Sequence, residues 1–229
     1  MPADRKKLVI AVGGSLLIPE QIDVLFISQL KEMVKQMADR GYQMILVVGG
    51  GKTSRNYHHA ARQFTHITDT DLDWIGINAI ALNCDFMRRV FADLDVYPKA
   101  VSHDENMEDI DNDIVIVGAW NPGHSSDLNA VHIAQRVKTT QIVNFSNISH
   151  VYDSDPKLNP AAKSFDTLSW DEYLEVIPRD WTPNMSTPFD PIASQKAKEH
   201  SMSVAILGAS IENLTSYLEG KEFVGTLIS

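Results

Sequence analysis

Two stretches with a similar pattern, LVIAVGGS (residues 8–15) and MILVVGGGKTSR (residues 44–55), give the clearest indication of the fold. Each starts with an unbroken apolar run and ends in glycines. Unbroken apolar runs of this length are typical of strands buried on both faces of a parallel sheet. Similar runs predict three further strands, at residues 114–117, 141–145 and 203–207.

Segments with helical apolar spacing lie between these strands. They predict helices at residues 21–40, 53–64, 72–91, 127–137 and 190–200. Alternating strands and helices predict a mainly parallel α/β sheet with right-handed crossovers and helices on both faces. No change of composition marks a linker, so we expect residues 1–229 to form one domain.

The chain is acidic, with a formal net charge of -10 over 229 residues. This balance argues against non-specific nucleic-acid binding and against binding to anionic membranes, because both need broad cationic surfaces. Its only cysteine, Cys84, excludes an intrachain disulfide framework and a cysteine-rich zinc site. We find neither a signal-peptide pattern nor an apolar run of ~18 residues, and therefore expect a cytoplasmic protein.

The glycines that follow the first two strands suit phosphate binding. Gly13-Gly14-Ser15 and Gly49-Gly50-Gly51 each lie between a strand and a predicted helix, where backbone N–H groups and the helix dipole favour an anion. Neither turn has the spacing of a Walker A loop or of a dinucleotide-binding fingerprint. Two such turns suggest two phosphate sites, whereas the alternative interpretation is two tight turns without a ligand.

Six segments along the chain carry a family resemblance. They are VGGSLL (12–17), VVGGGKTSR (47–55), DWIGI (73–77), NPGHSSD (121–127), NISHVYDSDPK (147–157) and FDPIAS (189–194). In this order they resemble the archaeal-type UMP kinases of the amino acid kinase superfamily. The resemblance implies a three-layer α/β/α sandwich with a mainly parallel central sheet. It also implies an acceptor side in the N-terminal half, an ATP side in the C-terminal half, and assembly as a homohexamer.

The resemblance also implies roles for individual residues. We expect Lys52, Arg55 and Asp127 to act around the transferred phosphoryl group. ATP contacts are expected at Gly14, Ser15, Gly51, Arg55, Ser146, Asn147, Tyr152 and Asp155. UMP contacts are expected at Gly50, Asp73, Trp120, Asn121, Pro122, Gly123, His124, Ser125 and Ser126.

Other interpretations of these charged residues stay open. Lys52 and Arg55 lie near a helix start, where cations are unfavourable unless an anion neutralises them, but either side chain could instead point into solvent. Asp127 could serve as the N-cap of its helix, alone or in addition to a role in the reaction. His58 and His59 are expected at the surface or in a subunit contact, whereas His124 could donate to a phosphate.

The sequence departs from the resemblance at several charged positions. Ala11 stands where a K-x-G-G-S lysine is expected, and Ala81 stands in place of an acceptor-side arginine. Ser149 and His150 replace an acid and a glycine, and Gln195 replaces a lysine. Each missing charge-assisted hydrogen bond to a phosphate would cost ~1.5–3 kcal/mol of binding free energy. We therefore expect these losses to affect catalysis more than the fold.

The expected reaction is in-line transfer of the ATP γ-phosphoryl group to UMP. Mg2+ would bridge phosphate oxygens with few protein ligands, so no compact protein metal site is expected. One alternative is another small-molecule kinase, such as an isopentenyl phosphate kinase, and a second is a non-catalytic nucleotide or oxyanion binder. The stretch 178–188 is either a flap over the nucleotide or an ordinary connection held by aromatic residues.

Overall fold

The computed structural model describes residues 5–101, 103–178 and 187–229. Most of the stretch 178–188 lies outside these ranges, so its two interpretations stay open. The strands are β1 (Lys6–Val12), β2 (Tyr42–Val48), β3 (Ile114–Val117), β4 (Gln141–Phe145), β5 (Val151–Tyr152), β6 (Ser164–Phe165), β7 (Thr167–Leu168), β8 (Ser203–Leu207) and β9 (Gly225–Ile228).

Seven of these strands form one sheet, in the order β3-β2-β1-β4-β8-β9-β7. The five strands from β3 to β8 are mutually parallel, whereas β9 runs antiparallel to β8. Ala11 on β1 lies between Val47 on β2 and Asn144 on β4. The carboxyl ends of these three central strands therefore meet at one edge of the sheet, where ligands of open α/β sheets bind.

The helices connect successive strands across the two faces of this sheet. They are α1 (Gly14–Leu17), α2 (Val24–Asp39), α3 (Gly51–Ala61), α4 (Asp69–Val90), α5 (Ser126–Arg136), α6 (Trp170–Val176), α7 (Pro191–Glu199) and α8 (Ile211–Leu218), with a short 3-10 helix at Met107–Asp109. The five strands and five helices predicted above are confirmed, with ends that differ by a few residues. The short elements α1, α6, α8, β5, β6, β7 and β9 were not predicted, because so few residues give no clear periodicity.

Two clusters of buried apolar side chains cover the two faces of the sheet. One joins the strands to α5, α6 and α7 and includes Ile133 and Tyr173. The other joins them to α2, α4 and α8 and includes Leu30 and Met87. Helix layers on both faces confirm the three-layer α/β/α arrangement. None of the described helices is both long enough and apolar enough to cross a membrane.

Candidate active site

The two glycine turns touch each other at the carboxyl edge of the sheet. A Cβ atom on Gly14 would lie 2.1 Å from the backbone nitrogen of Gly51 and 2.7 Å from the carbonyl carbon of Gly49. Gly51 itself has φ +61, which side chains disfavour. The backbones can approach this closely only without side chains, so the two turns form one continuous surface of peptide groups.

Asn83, on α4, forms hydrogen bonds with the backbone of the second glycine turn. Its side-chain nitrogen donates to the carbonyl oxygens of Gly49 and Gly50, at 3.0 and 3.1 Å. The side chain is only 4% exposed, so water cannot replace it as a donor. The sequence shows an asparagine on a helix but gives no indication that it reaches a turn 34 residues earlier.

Two cavities open on either side of this surface. The wide cavity, of about 440 Å³, lies over the ends of β1 and β4. The narrow cavity, of about 240 Å³, lies between α3, α4 and the loop that precedes α5. They share a wall made by Gly49, Gly50, Ser54, Ser126, Asp127 and Thr187.

Many of the predicted site residues line these cavities. The wide cavity is lined, among others, by Gly14, Ser15, Gly51, Arg55, Ser146 and Asn147. The narrow cavity is lined, among others, by Asp73, Asn121, His124 and Ser125. Gly50, Ser126 and Asp127 belong to both. Residues distant in sequence but predicted to share a substrate thus lie together.

Six predicted residues are not on either cavity wall: Lys52, Trp120, Pro122, Gly123, Tyr152 and Asp155. The Lys52 ammonium group pairs with Glu20 at 2.7 Å instead. The Trp120 indole nitrogen donates to the Val101 carbonyl at 2.7 Å. Asp155 accepts from the backbone of Lys157 in an exposed turn. Substrate contacts by these residues stay predictions.

Gly123 has an indirect connection with the narrow cavity. Its backbone N–H donates to Asp73 Oδ2 at 2.7 Å, with Gly123 at φ +78. Asp73 lines the cavity, so this bond fixes the loop before α5 against α4. The carboxylate keeps its second oxygen for another partner.

Asp127 lies on the shared wall in an unfavourable electrostatic setting. Burial, the largest effect, raises the pKa of Asp127, and the nearby charge of Asp190 raises it as well. The backbone N–H of Asp190 donates to Asp127 Oδ2 at 3.0 Å and lowers the pKa. The resulting pKa is about 7. The interpretation of Asp127 as the N-cap of α5 is wrong, because Ser125 caps this helix by accepting from the Leu128 N–H at 3.0 Å.

Few cationic side chains reach the cavities. Among the described residues, Arg55 is the one lysine or arginine that lines either of them, and it also donates to the Pro19 carbonyl at 3.3 Å. Ala11 lines the wide cavity, where the resemblance implies a lysine. Beside it, Asn144 donates to the Pro188 carbonyl at 2.7 Å and lies 3.5 Å from Asp127 Oδ1. The site therefore presents peptide N–H groups and small polar side chains more than positive charge.

The histidines differ in their surroundings. His59 is exposed, as expected, whereas His58 is half-buried and lines the narrow cavity. A subunit contact of either residue stays a prediction. His124 lines the same cavity and stacks on His132, with 5.6 Å between ring centroids. Within residues 5–101, 103–178 and 187–229, no group of three His, Cys, Asp or Glu side chains is arranged to hold a metal ion.

A larger open groove, of about 920 Å³, lies at the opposite edge of the sheet. It is lined by the start of β1 and by residues 137–141, and contains neither glycine turn. The two smaller cavities are the better candidate site, because the glycine turns and the C-terminal strand ends converge on them.

Comparisons with known proteins identify the family of the chain. Residues 6–208 match the profile of the amino acid kinase family. The uridylate kinase of Thermococcus sibiricus is 30% identical over 226 residues, covering 97% of this chain and 99% of that protein. The uridylate kinase of Methanococcus aeolicus is 30% identical over 231 residues, with 97% and 99% coverage.

Solved structures give the same result for the fold. The crystal structure of uridylate kinase from Archaeoglobus fulgidus superposes with a TM-score of 0.81 and 28% identity, and the match covers 97% of this chain and all of that one. The UMP kinase structure from Bacillus anthracis also gives a TM-score of 0.81, at 19% identity, over 98% and 96% of the two chains. The second likeness concerns the fold alone.

Proposed function

The chain belongs to the amino acid kinase family, and from this premise we propose that it is a UMP kinase. It transfers the γ-phosphoryl group of ATP to UMP and yields UDP and ADP. The relatives named uridylate kinase support this assignment, because they match almost the whole chain rather than an isolated motif.

The observation that carries the proposal is the shared wall of the two cavities. Phosphoryl transfer needs two anionic substrates held in line at one point. The wide and narrow cavities meet at Gly50, Ser126 and Asp127, directly beside the contact of the two glycine turns. A donor in one cavity and an acceptor in the other would bring their phosphates together there.

We place ATP in the wide cavity and UMP in the narrow one. The larger volume and the strand-end position of the wide cavity suit the nucleotide that carries three phosphates. Tyr152 and Asp155 would contact the ATP base and ribose. On the UMP side, Trp120, Pro122 and Gly123 would shape the loop that wraps the acceptor.

The protein's own task is to hold the substrates and offset their charge. The acceptor oxygen of UMP is already anionic, so no general base is required. Peptide N–H groups of the glycine turns and the Arg55 guanidinium would contact phosphate oxygens. Lys52 would join them only after leaving Glu20.

The residues present fit Mg2+ bound together with ATP. Mg2+ is usually held by one or two carboxylates, phosphate oxygens and water. Asp127 supplies a carboxylate at the point where the cavities meet, and would be the protein ligand. When bound, the metal ion would neutralise charge on the transferred phosphoryl group.

We further propose that residues 1–229 act as one domain that self-associates, with a homohexamer as the expected assembly. Exposed apolar side chains on the adjacent helices α3 and α4 support self-association, among them Tyr57, Trp74 and Leu82. The need for ATP favours the cytoplasm as the place of action.

The test is a coupled ADP-release assay with saturating ATP and Mg2+. The acceptors to compare are UMP, CMP, dUMP and isopentenyl phosphate. We expect UMP to give the highest kcat/KM, by at least about tenfold, since roughly 1.4 kcal/mol of selective binding is enough for this ratio. No ADP above background with UMP contradicts the proposal. Preference for isopentenyl phosphate indicates another kinase, and nucleotide binding without turnover with any acceptor indicates a binding protein.

A further inference from the structure

His58 has no role in the resemblance, yet it lies in the proposed acceptor site. It is on α3, one turn after Ser54, and lines the narrow cavity but not the wide one. Its Nε2 atom lies 3.5 Å from Ser54 Oγ, the outer limit of a hydrogen bond. Its Nδ1 atom is shielded from solvent and has no hydrogen-bond partner in the described part of the chain.

The glycine at position 76 makes room for this imidazole. A Cβ atom on Gly76 would lie 3.1 Å from His58 Nε2 and 3.4 Å from Ser54 Oγ. The ring therefore packs against the α4 backbone where α4 has no side chain. This contact holds the imidazole at the cavity wall and keeps it out of bulk solvent.

The partners of the two ring nitrogens indicate which one carries the hydrogen. A neutral imidazole has one N–H donor and one unprotonated acceptor nitrogen. Buried N–H groups without a partner are rarer in proteins than unpaired acceptors. The hydrogen is therefore best placed on Nε2, where the long contact with Ser54 leaves the donor poorly satisfied.

Asp73 supplies an acceptor in the same cavity. It precedes Gly76 by three residues on α4, and positions three apart lie on the same helix face. One carboxylate oxygen accepts from the Gly123 N–H, and the other remains for a ligand in the cavity. Like His58, Asp73 lines the narrow cavity and not the wide one, although His58 also touches Ser54 of the shared wall.

A hydroxyl group fits a cavity that offers both a donor and an acceptor, because it can accept from one and donate to the other. A uracil carbonyl could accept from His58 but could not itself donate to Asp73, whereas one hydroxyl oxygen can do both. We propose that His58 is a specificity residue that donates from Nε2 to a ribose hydroxyl of the acceptor nucleotide. The inference rests on the proposed function, since it names the part of UMP that this wall of the cavity recognises.

The test is calorimetric binding of UMP, 2′-deoxy-UMP and 3′-deoxy-UMP to the full chain. His58→Leu removes the donor while it keeps an apolar side chain against Gly76, and His58→Gln restores an N–H donor. His59→Leu is the matched control, because His59 is the next residue and is exposed. Thermal unfolding of each variant checks that the fold is retained.

We expect His58→Leu to raise the Kd for UMP about 3- to 10-fold, the effect of one neutral hydrogen bond. It should leave the Kd of one deoxy analogue unchanged, namely the analogue that lacks the hydroxyl bound by His58. His58→Gln should stay within about twofold of the unsubstituted chain for all three ligands, given a similar hydrogen bond. His59→Leu should have no effect.

Equal weakening of UMP and both analogues by His58→Leu would mean a purely structural role and would overturn the inference. An unchanged Kd for all three ligands would overturn it as well. In either case the unsubstituted chain would still bind and phosphorylate UMP, so the proposed function would stand. If the unsubstituted chain binds no UMP, the proposed function fails and the inference fails with it.

Discussion

Asp127 shows how a single residue can be held in an unfavourable state at a site of function. Its carboxyl group is largely shielded from water, although the residue lines both cavities, and it lies near Asp190. Its pKa is raised to about 7 from an ordinary 3.8. Resemblance implied a functional aspartate at this position. Only the structure shows that no described lysine lies on the cavity walls to offset its charge.

The first prediction concerns the stability of Asp127→Asn. Between pH 3.8 and about 7 the folded chain holds a proton on Asp127 that the unfolded chain has lost, so stability falls as the pH rises through this window. Asparagine carries no charge and can still accept from the Asp190 N–H. We expect the variant to be more stable than the unsubstituted chain above pH 7, by up to about 4 kcal/mol. The difference should vanish near pH 4.

Urea unfolding at pH 4, 6 and 8 measures this difference in stability. On the same samples, the kcat of Asp127→Asn should be about 100-fold lower than that of the unsubstituted chain, the usual effect of losing one group that stabilises the transition state. Asp39→Asn is a suitable control, since Asp39 is exposed at the end of α2. It should shift stability by no more than about 0.5 kcal/mol. A pH-independent stability difference for Asp127→Asn would contradict the prediction.

At the scale of elements, the candidate site depends on how α4 supports the turn between β2 and α3. Helix α4 supplies Asp73 to the narrow cavity and Asn83 to the glycine turn. The two residues are ten positions apart, so one rigid helix fixes both the acceptor wall and the phosphate-binding backbone. A change at the Asn83 end should therefore alter a turn that touches both cavities.

The second prediction is that Asn83→Ala lowers both stability and activity. It removes the side-chain donor to the Gly49 and Gly50 carbonyls, of which Gly50 keeps the Ser54 N–H at 3.3 Å. The loss should cost about 1–3 kcal/mol in unfolding free energy. Because the turn loses its support, kcat/KM should fall about tenfold or more, the equivalent of 1.4 kcal/mol.

Urea unfolding and steady-state kinetics measure the two effects of Asn83→Ala. Gln36→Ala is the control, because Gln36 is exposed on α2, outside the face formed by Trp74, Asn78 and Leu82, and should change neither quantity. Asn83→Asp should be worse than Asn83→Ala, since it places a carboxylate against two carbonyl oxygens. A kcat/KM unaffected by either Asn83 substitution would show that the turn holds its shape without the bond.

At the scale of the whole molecule, the acidic chain leaves apolar side chains uncovered on α3 and α4. Tyr57 is 65% exposed and Leu82 63% exposed. Trp74, Asn78 and Leu82 are spaced by four residues, so they lie on one face of α4. Helix α3, which packs against α4, also carries the glycine turn. Burial of this face between copies of the chain would therefore affect the position of the glycine turn as well as assembly.

The third prediction is that Leu82→Glu weakens self-association. A buried carboxylate without a partner is strongly unfavourable in an apolar interface. Sedimentation velocity should show the unsubstituted chain at a multiple of its subunit mass and the variant shifted to smaller species. Leu158→Glu is the control, because Leu158 is 84% exposed on a different part of the surface and should leave assembly unchanged. Identical sedimentation of Leu82→Glu and the unsubstituted chain would contradict the use of this face.

Local sequence patterns are enough to predict the central strands, the helices between them and the glycine turns at the strand ends. These features depend on local periodicity and on backbone sterics, which act over a few residues and can be read along the chain. The predicted strands at residues 114–117, 141–145 and 203–207 agree with β3, β4 and β8. The parallel order of the strands then placed both glycine turns at one edge.

Which side chains share a cavity is visible only in the folded chain. Asn83 reaches the glycine turn, His58 faces the acceptor wall, and Lys52 pairs with Glu20 rather than entering the site. Each of these outcomes depends on where a side chain meets another element across a packed interface. Such contacts arise from packing between elements that are far apart in sequence. The local spacing of residues along the chain therefore does not predict them.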